Sequence, residues 1–224
     1  MDKCLEKYNL PKLNEEEAKS LNRPITADDI EPVIKKLQTP KISGLDGFTG
    51  EFYKTFDQEL TPIFLRLFQK IQEDGKLPNS FYEVSITLIL KPDKDTTKKQ
   101  KYWPILLMYI DAKTLNTILS NCIQEYIKKF IHHDQVGFIP RMQGWCNIPK
   151  SINIIQHINK RKDKKYKTTS RNVEKAFHKV QHPIIIKTLT KLRVVGAFLT
   201  VIKAIYEKAV ASLILNGQNL KHSH

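Results

Sequence analysis

The side chains best able to do chemistry are spread unevenly along the 224 residues. Two histidine pairs have suggestive spacing: His132 beside His133, and His178 four residues before His182, an interval that sets two imidazoles on one helix face. Neither pair has further ligands at zinc-site spacing, so no metal is expected at either. Cys4, Cys122 and Cys146 are odd in number and far apart, which gives no disulfide framework and fits a reducing compartment. Lysine carries the clearest pattern. Lys94, Lys98, Lys99 and Lys101 crowd one polar stretch, and Lys162, Lys164 and Lys165 belong to a second run, Lys160-Arg161-Lys162-Asp163-Lys164-Lys165. Ammonium groups clustered in this way bind phosphate oxygens with salt-dependent affinity and no sequence preference, so these seven are the candidates for nucleic-acid backbone contact.

The overall charge agrees. Lys plus Arg number 37 against 23 Asp plus Glu, a net charge of +14 with a pI near 9.6. A balance this basic points to a polyanionic partner, and nucleic acid is favoured over anionic membrane because no basic amphipathic anchor stands out. Hydrophobic residues at 41% and charged residues at 27% exclude wholesale disorder. No apolar run approaches the roughly 18 residues of a membrane-spanning helix, and the N-terminus has no signal-peptide core. An intracellular protein is expected, with its oligomeric state open.

Helices and strands must position these groups. The first 25 residues are polar and read as an irregular or partly helical arm. Thr26 and Asp29 have capping-box spacing and open a helix with Ile30, Val33, Ile34 and Leu37 on one face. Pro32 falls inside it, at a cost of about 3 kcal/mol. Residues 41–50 read as a glycine-bearing loop. Tyr53, Phe56, Leu60, Phe64, Leu67, Phe68 and Ile71 recur at helical spacing, with Thr61-Pro62 suited to restart the helix and Gly75 and Pro78 to end it. Val84 to Leu90 reads as a strand. Leu115, Ile118, Leu119, Cys122, Ile123, Tyr126, Ile127 and Phe130 form one stripe on a helix from Asp111 to Ile131. A further helix spans Pro149 to Lys160. The last sixty residues read strand, helix, helix, strand, and Val210 to Leu215 meets Asn216-Gly217, a strong hairpin signal. Seven residues follow, so the hairpin is expected to be cut short by truncation, leaving Val210 to Leu215 an unpaired, aggregation-prone edge.

Nine short strings, in order along almost the whole chain, resemble the reverse transcriptase encoded by the second open reading frame of LINE (long interspersed element) retrotransposons. They are Leu21-Asn22-Arg23-Pro24-Ile25-Thr26, Asp46-Gly47-Phe48-Thr49, Leu77-Pro78-Asn79-Ser80-Phe81-Tyr82, Asp95-Thr96-Thr97-Lys98-Lys99 and Ile110-Asp111-Ala112-Lys113, then the run from His132 to Pro140, Met142-Gln143-Gly144-Trp145, Glu174-Lys175-Ala176-Phe177 and Leu215-Asn216-Gly217-Gln218. The resemblance implies a helix-rich α+β chain with the right-hand polymerase fold. It implies an N-terminal arm and helix over 1–45, a fingers region over 46–165 and an incomplete palm over 166–224. It also implies an RNA template or RNA–DNA hybrid as partner, and primer extension by two Mg²⁺ ions held on aspartates.

The same resemblance marks where that chemistry is expected to fail. The family's Asp-x-x-x-Ala-Phe-Asp motif, which supplies the first metal-binding aspartate, reads Asn172-Val173-Glu174-Lys175-Ala176-Phe177-His178. Asn172 offers a neutral amide oxygen where Mg²⁺ needs a hard anion, so the chain is expected to bind no metal. The second metal motif would lie beyond His224. An arginine that contacts triphosphate in the family is Trp103 here, in Trp103-Pro104-Ile105-Leu106, while the nearby Lys91 of Leu90-Lys91-Pro92 is kept. Lys91 and Phe177 are the candidate nucleotide-binding residues, the latter as a sensor of the sugar 2′ position. The expected activity is that of an inactive reverse transcriptase fragment; the alternative is a nucleic-acid-binding remnant, or the functionless product of a decayed element.

Overall fold

Two capping boxes open the helical part of the chain. At α1 (Glu15–Leu21) the Asn14 side-chain oxygen accepts from the Glu17 N–H at 2.7 Å, and the Glu17 carboxylate accepts from the Asn14 N–H at 2.8 Å. At α2 (Ala27–Lys35) the expected pair is present: Asp29 accepts from both the Thr26 N–H and the Thr26 hydroxyl at 2.9 Å. These helices belong to a computed structural model that describes residues 10–38, 46–90, 102–132, 135, 147–160, 180–208, 210–215 and 218–223. Pro32 lies inside α2 as expected, where it has no N–H to give the Asp28 carbonyl. The polar N-terminal stretch, from residue 10 onward, is partly helical through α1 and packs on the rest of the chain. Leu13, Leu21 and Ile25 are buried, and the Leu13 N–H donates to the Leu192 carbonyl at 2.9 Å. Three apolar side chains among many charged ones sufficed to anchor it.

The aromatic-rich region forms α3 (Gly50–Thr55) and α4 (Asp57–Asp74). The break falls at Phe56 rather than at Thr61-Pro62, and Pro62 sits within α4. Turning there lets Tyr53 of α3 stack on Phe64 of α4 with centroids 5.9 Å apart, and Phe64 in turn stacks on Phe68 at 5.4 Å. Thr61 makes no cap; its buried hydroxyl has no hydrogen-bond partner among the described residues. Gly75 ends α4 in the left-handed conformation, φ +64°, donating to the Ile71 carbonyl at 2.9 Å. A Cβ at Gly75 would come 2.5 Å from Thr200 Cγ2, so this turn packs tightly on the chain's C-terminal part.

After a short 3₁₀ turn (Asn79–Tyr82) come β1 (Glu83–Leu90) and β2 (Tyr102–Met108), then α5 (Ile110–Gln124) and α6 (Ile127–Phe130). The single helix expected from Asp111 to Ile131 is therefore two, parted at Glu125 and Tyr126. β2 has no counterpart in the sequence reading. Pro104 masks it, and the conflict resolves because β2 is an edge strand, where a missing N–H can face away from the ladder. The remaining elements are α7 (Asn147–Lys160), α8 (His182–Lys191), α9 (Ala197–Glu207), β3 (Val210–Leu215) and β4 (Gln218–Ser223).

The four strands form one mixed sheet in the order β2-β1-β3-β4, with β1 antiparallel to β2 and parallel to β3. The expected half-hairpin is corrected here. β4 pairs antiparallel with β3 from Leu215 opposite Gln218 to Ala211 opposite Ser223, with one irregularity between Ala211 and Leu213. The six residues Gln218–Ser223 are enough for a full strand, so β3 is an interior strand and no unpaired edge. The sheet also joins strands from both sides of the expected boundary at 165/166.

The core is helical. Ile30 and Ile34 of α2, Phe64 and Phe68 of α4, Leu115 and Ile118 of α5, and Phe198 and Val201 of α9 are buried together, each worth about 1.5–3 kcal/mol against exposure. Ser85 is the strand residue that reaches burial among those described, so the sheet stands beside this core with much apolar surface open. The expected helix-rich α+β architecture is what the chain adopts.

Candidate nucleic-acid interface

Leu90 and Tyr102, the described residues on either side of the lysine-bearing stretch 91–101, are partners across the β1–β2 ladder. Lys91, Lys94, Lys98, Lys99 and Lys101 fall in that stretch; Lys162, Lys164, Lys165, Asn172 and Phe177 fall in 161–179. All ten lie outside the described residues, as do His133 and His178. Of the other histidines singled out, His132 follows α6 and is exposed, and the His182 ring packs on Tyr206 at 4.5 Å.

The strand residues flanking 91–101 are described. Ile89 and Trp103 are direct partners on one face of the sheet, 45% and 52% exposed. The exposed indole of Trp103 offers a flat apolar surface and cannot grip phosphate as an arginine would.

A second constellation joins two of the motif strings. Asp46 accepts from the Phe48 N–H at 3.1 Å, and Asp111, in the first turn of α5, accepts from the Ala112 N–H at 2.8 Å. Burial raises the Asp111 carboxyl above its ordinary range, and the Asp46 charge adds to this. Burial likewise raises the Tyr53 phenol, with Asp46 and Asp111 contributing. Among the described residues no three His, Cys, Asp or Glu side chains gather as metal ligands.

The string from Leu21 to Thr26 is a joint. Gln72 of α4 accepts from the Ile25 N–H at 2.9 Å and donates to the Arg23 carbonyl at 3.3 Å, while Gln69 donates to the Ile25 carbonyl at 3.1 Å. Arg23 binds Asp29 through two hydrogen bonds of 2.7 and 2.6 Å, which holds that carboxyl down at about 2. Asn22 reaches farthest. Its amide nitrogen donates to the Ala18 carbonyl at 2.7 Å, and its amide oxygen accepts from the Phe198 N–H at 3.1 Å, capping α9 from 176 residues away. Gly196 makes room for that cap: its φ is +75°, and a Cβ there would fall 2.6 Å from the Asn22 oxygen. The motif flagged Asn22, but nothing in the sequence pointed to Gln69, Gln72 or Gly196 as its surroundings.

Comparison with known proteins bears on what these parts serve. The family model described as Reverse transcriptase (RNA-dependent DNA polymerase) matches residues 89–224, more than half of the chain. The chain is similar to the uncharacterized 149 kDa protein of transposon TX1 from Xenopus laevis, 29% identical over 217 residues, covering 96% of this chain and 16% of the relative. It is similar to the RNA-directed DNA polymerase from mobile element jockey of Drosophila funebris, 24% identical over 199 residues, or 87% of this chain and 21% of the relative. A third relative is the probable RNA-directed DNA polymerase from transposon BS of Drosophila melanogaster, 23% identical over 174 residues, or 76% and 19% of the two chains. The chain thus spans about a fifth or less of the length of these relatives. No helix of the described residues is long and apolar enough to cross a membrane. The chain belongs to the reverse transcriptase (RNA-dependent DNA polymerase) family, within its LINE-type retrotransposon branch.

Proposed function

We propose that this chain supplies the fingers and the opening of the palm of a LINE-type reverse transcriptase, and that it binds RNA or an RNA–DNA hybrid without polymerising. The fingers run over 46–165 behind the N-terminal segment 1–45, and the palm begins at 166. The observation that carries the reading is Asn172, which stands where the family's motif has its first metal-binding aspartate.

Two-metal nucleotidyl transfer needs hard anionic oxygens on Mg²⁺. The donors of residues 172–178 are a neutral amide at Asn172, one carboxylate at Glu174 and an imidazole at His178, and this set does not fit the ions. No catalytic step is assigned to them. What remains is binding. Lys94, Lys98, Lys99, Lys101, Lys162, Lys164 and Lys165 contact the backbone, with Lys91 and Phe177 at the nucleotide position and Trp103 as a stacking surface. The net charge of +14 supports this.

The test is binding of a labelled RNA–DNA hybrid across a salt series. Affinity should fall steeply and linearly in logarithmic coordinates; affinity that is absent at low salt, or flat with salt, would sink the binding half of the proposal. Primer extension on the same hybrid tests the other half.

A further inference from the structure

A cleft of about 310 Å³ opens along the seam between α2 and α5. Its walls are Pro32 and Thr117; Lys36 and Gln38 close it from the α2 side, Lys113 and Asn121 from α5. No carboxylate lines it. Lys35, by contrast, is paired with Glu31 at 3.0 Å and points its charge to that carboxylate, as Lys129 does to Glu17 at 2.6 Å. Lys36 and Lys113 are both exposed, and neither has an ion-pair partner among the described residues.

Two unpaired cations on one concave surface leave a local excess of positive charge, and the side-chain amides of Gln38 and Asn121 add neutral donors beside it. The Thr117 hydroxyl is already spent on the Lys113 carbonyl at 2.8 Å. The next cleft along the seam, about 130 Å³, shares Pro32 and Asn121 but is lined by Asp28, Asp29 and Glu125 with only Arg23 to balance them. Of these two clefts, the one at Lys36 and Lys113 is the one whose lining carries more basic than acidic side chains. A ligand that suits it presents single anionic groups along a flexible strand, as a phosphodiester backbone does.

We propose that Lys36 and Lys113 form a phosphate-binding site for single-stranded RNA, separate from the lysine clusters at 94–101 and 162–165. It rests on the proposed nucleic-acid binding and adds a contact surface in the helical part of the chain, upstream of the family match that begins at residue 89 for its α2 wall.

The experiment measures binding of a fluorescein-labelled single-stranded RNA oligonucleotide to the full chain between low and moderate salt. Each single-strand phosphate contact contributes about 0.7 to the slope of log affinity against log salt, so Lys36→Gln with Lys113→Gln should lower it by about 1.4. Lys19→Gln with Lys76→Gln removes the same charge elsewhere and should leave the slope unchanged. Lys36→Arg with Lys113→Arg keeps the charge and should restore it, which separates a lost site from a damaged fold. Inorganic phosphate at matched ionic strength should not displace the RNA. An unchanged slope in the Gln pair would overturn this site alone, and so would an equal drop in the control pair. Displacement by phosphate would make the cleft a free-anion site and overturn the polynucleotide assignment. Failure of the unaltered chain to bind RNA at low salt would overturn both this site and the proposed function.

Discussion

Replacing Asn22 by alanine should destabilise the chain by about 2 kcal/mol, and the size of that effect depends on a contact that spans most of its length. Losing a helix N-cap costs about 1 kcal/mol. The loss is larger here because Phe198 is only 2% exposed, so its N–H would be left without a partner in a dry setting, at about 1–3 kcal/mol. Gly196→Ala attacks the same joint from the other side. Gly196 has φ +75° and ψ −154°, a region held almost only by glycine and costing other residues about 1–3 kcal/mol. Its new Cβ would also press on the Asn22 oxygen at 2.6 Å. Once Asn22 is alanine, that collision disappears while the backbone strain stays. The double variant should therefore be more stable than the two single effects predict, by about 1 kcal/mol. Urea unfolding followed by far-UV circular dichroism reads all four corners of the cycle. An Asn22→Ala cost under about 0.5 kcal/mol, or strict additivity, would refute the reasoning.

Two further changes probe the N-terminal helices. Asp29 sits near 2 instead of its ordinary 3.8 because Arg23 and the Thr26 groups bind its charged form, so its contribution is present above about pH 4 and is lost as pH falls toward 2. The difference sets a ceiling of about 2.4 kcal/mol, which solvent around Arg23, 44% exposed, reduces to roughly 1 kcal/mol. Asp29→Asn should abolish that part of the acid sensitivity; an unaltered acid profile between pH 4 and 2 would count against the ion pair. Pro32→Ala restores a donor to the Asp28 carbonyl within α2, and should raise stability by about 1–2 kcal/mol after allowing for the freer unfolded chain. A lower melting temperature in that variant would mean the proline is needed for packing.

What the sequence disclosed, and what it hid, follows physical lines. Short-range signals were readable: the Thr26–Asp29 box, the apolar face Ile30, Val33 and Ile34, the stripe Leu115, Ile118 and Leu119, and the glycine stop at Gly75. Each depends on residues within about four positions of one another. Features set by distant partners were not readable. β2 needs β1 to make sense of Pro104, the break at Phe56 needs Tyr53 to find Phe64, and the pairing of β3 with β1 joins positions more than a hundred residues apart. The candidate site divides in the same way. Clusters of lysine and the residue type at 172 are visible as letters, whereas the Lys36–Lys113 cleft and the Asp46, Tyr53 and Asp111 cluster exist only once the helices are packed.

Extension of a labelled DNA primer annealed to an RNA template, with Mg²⁺ or Mn²⁺ and all four deoxynucleoside triphosphates, tests the central claim most directly. The claim is that this reverse transcriptase chain holds nucleic acid without extending it. At protein concentrations where the hybrid is fully bound, the predicted result is a primer of unchanged length. Template-directed addition of nucleotides would contradict the account, and its loss in an Asn172→Ala variant would show that the amide serves as a metal ligand after all.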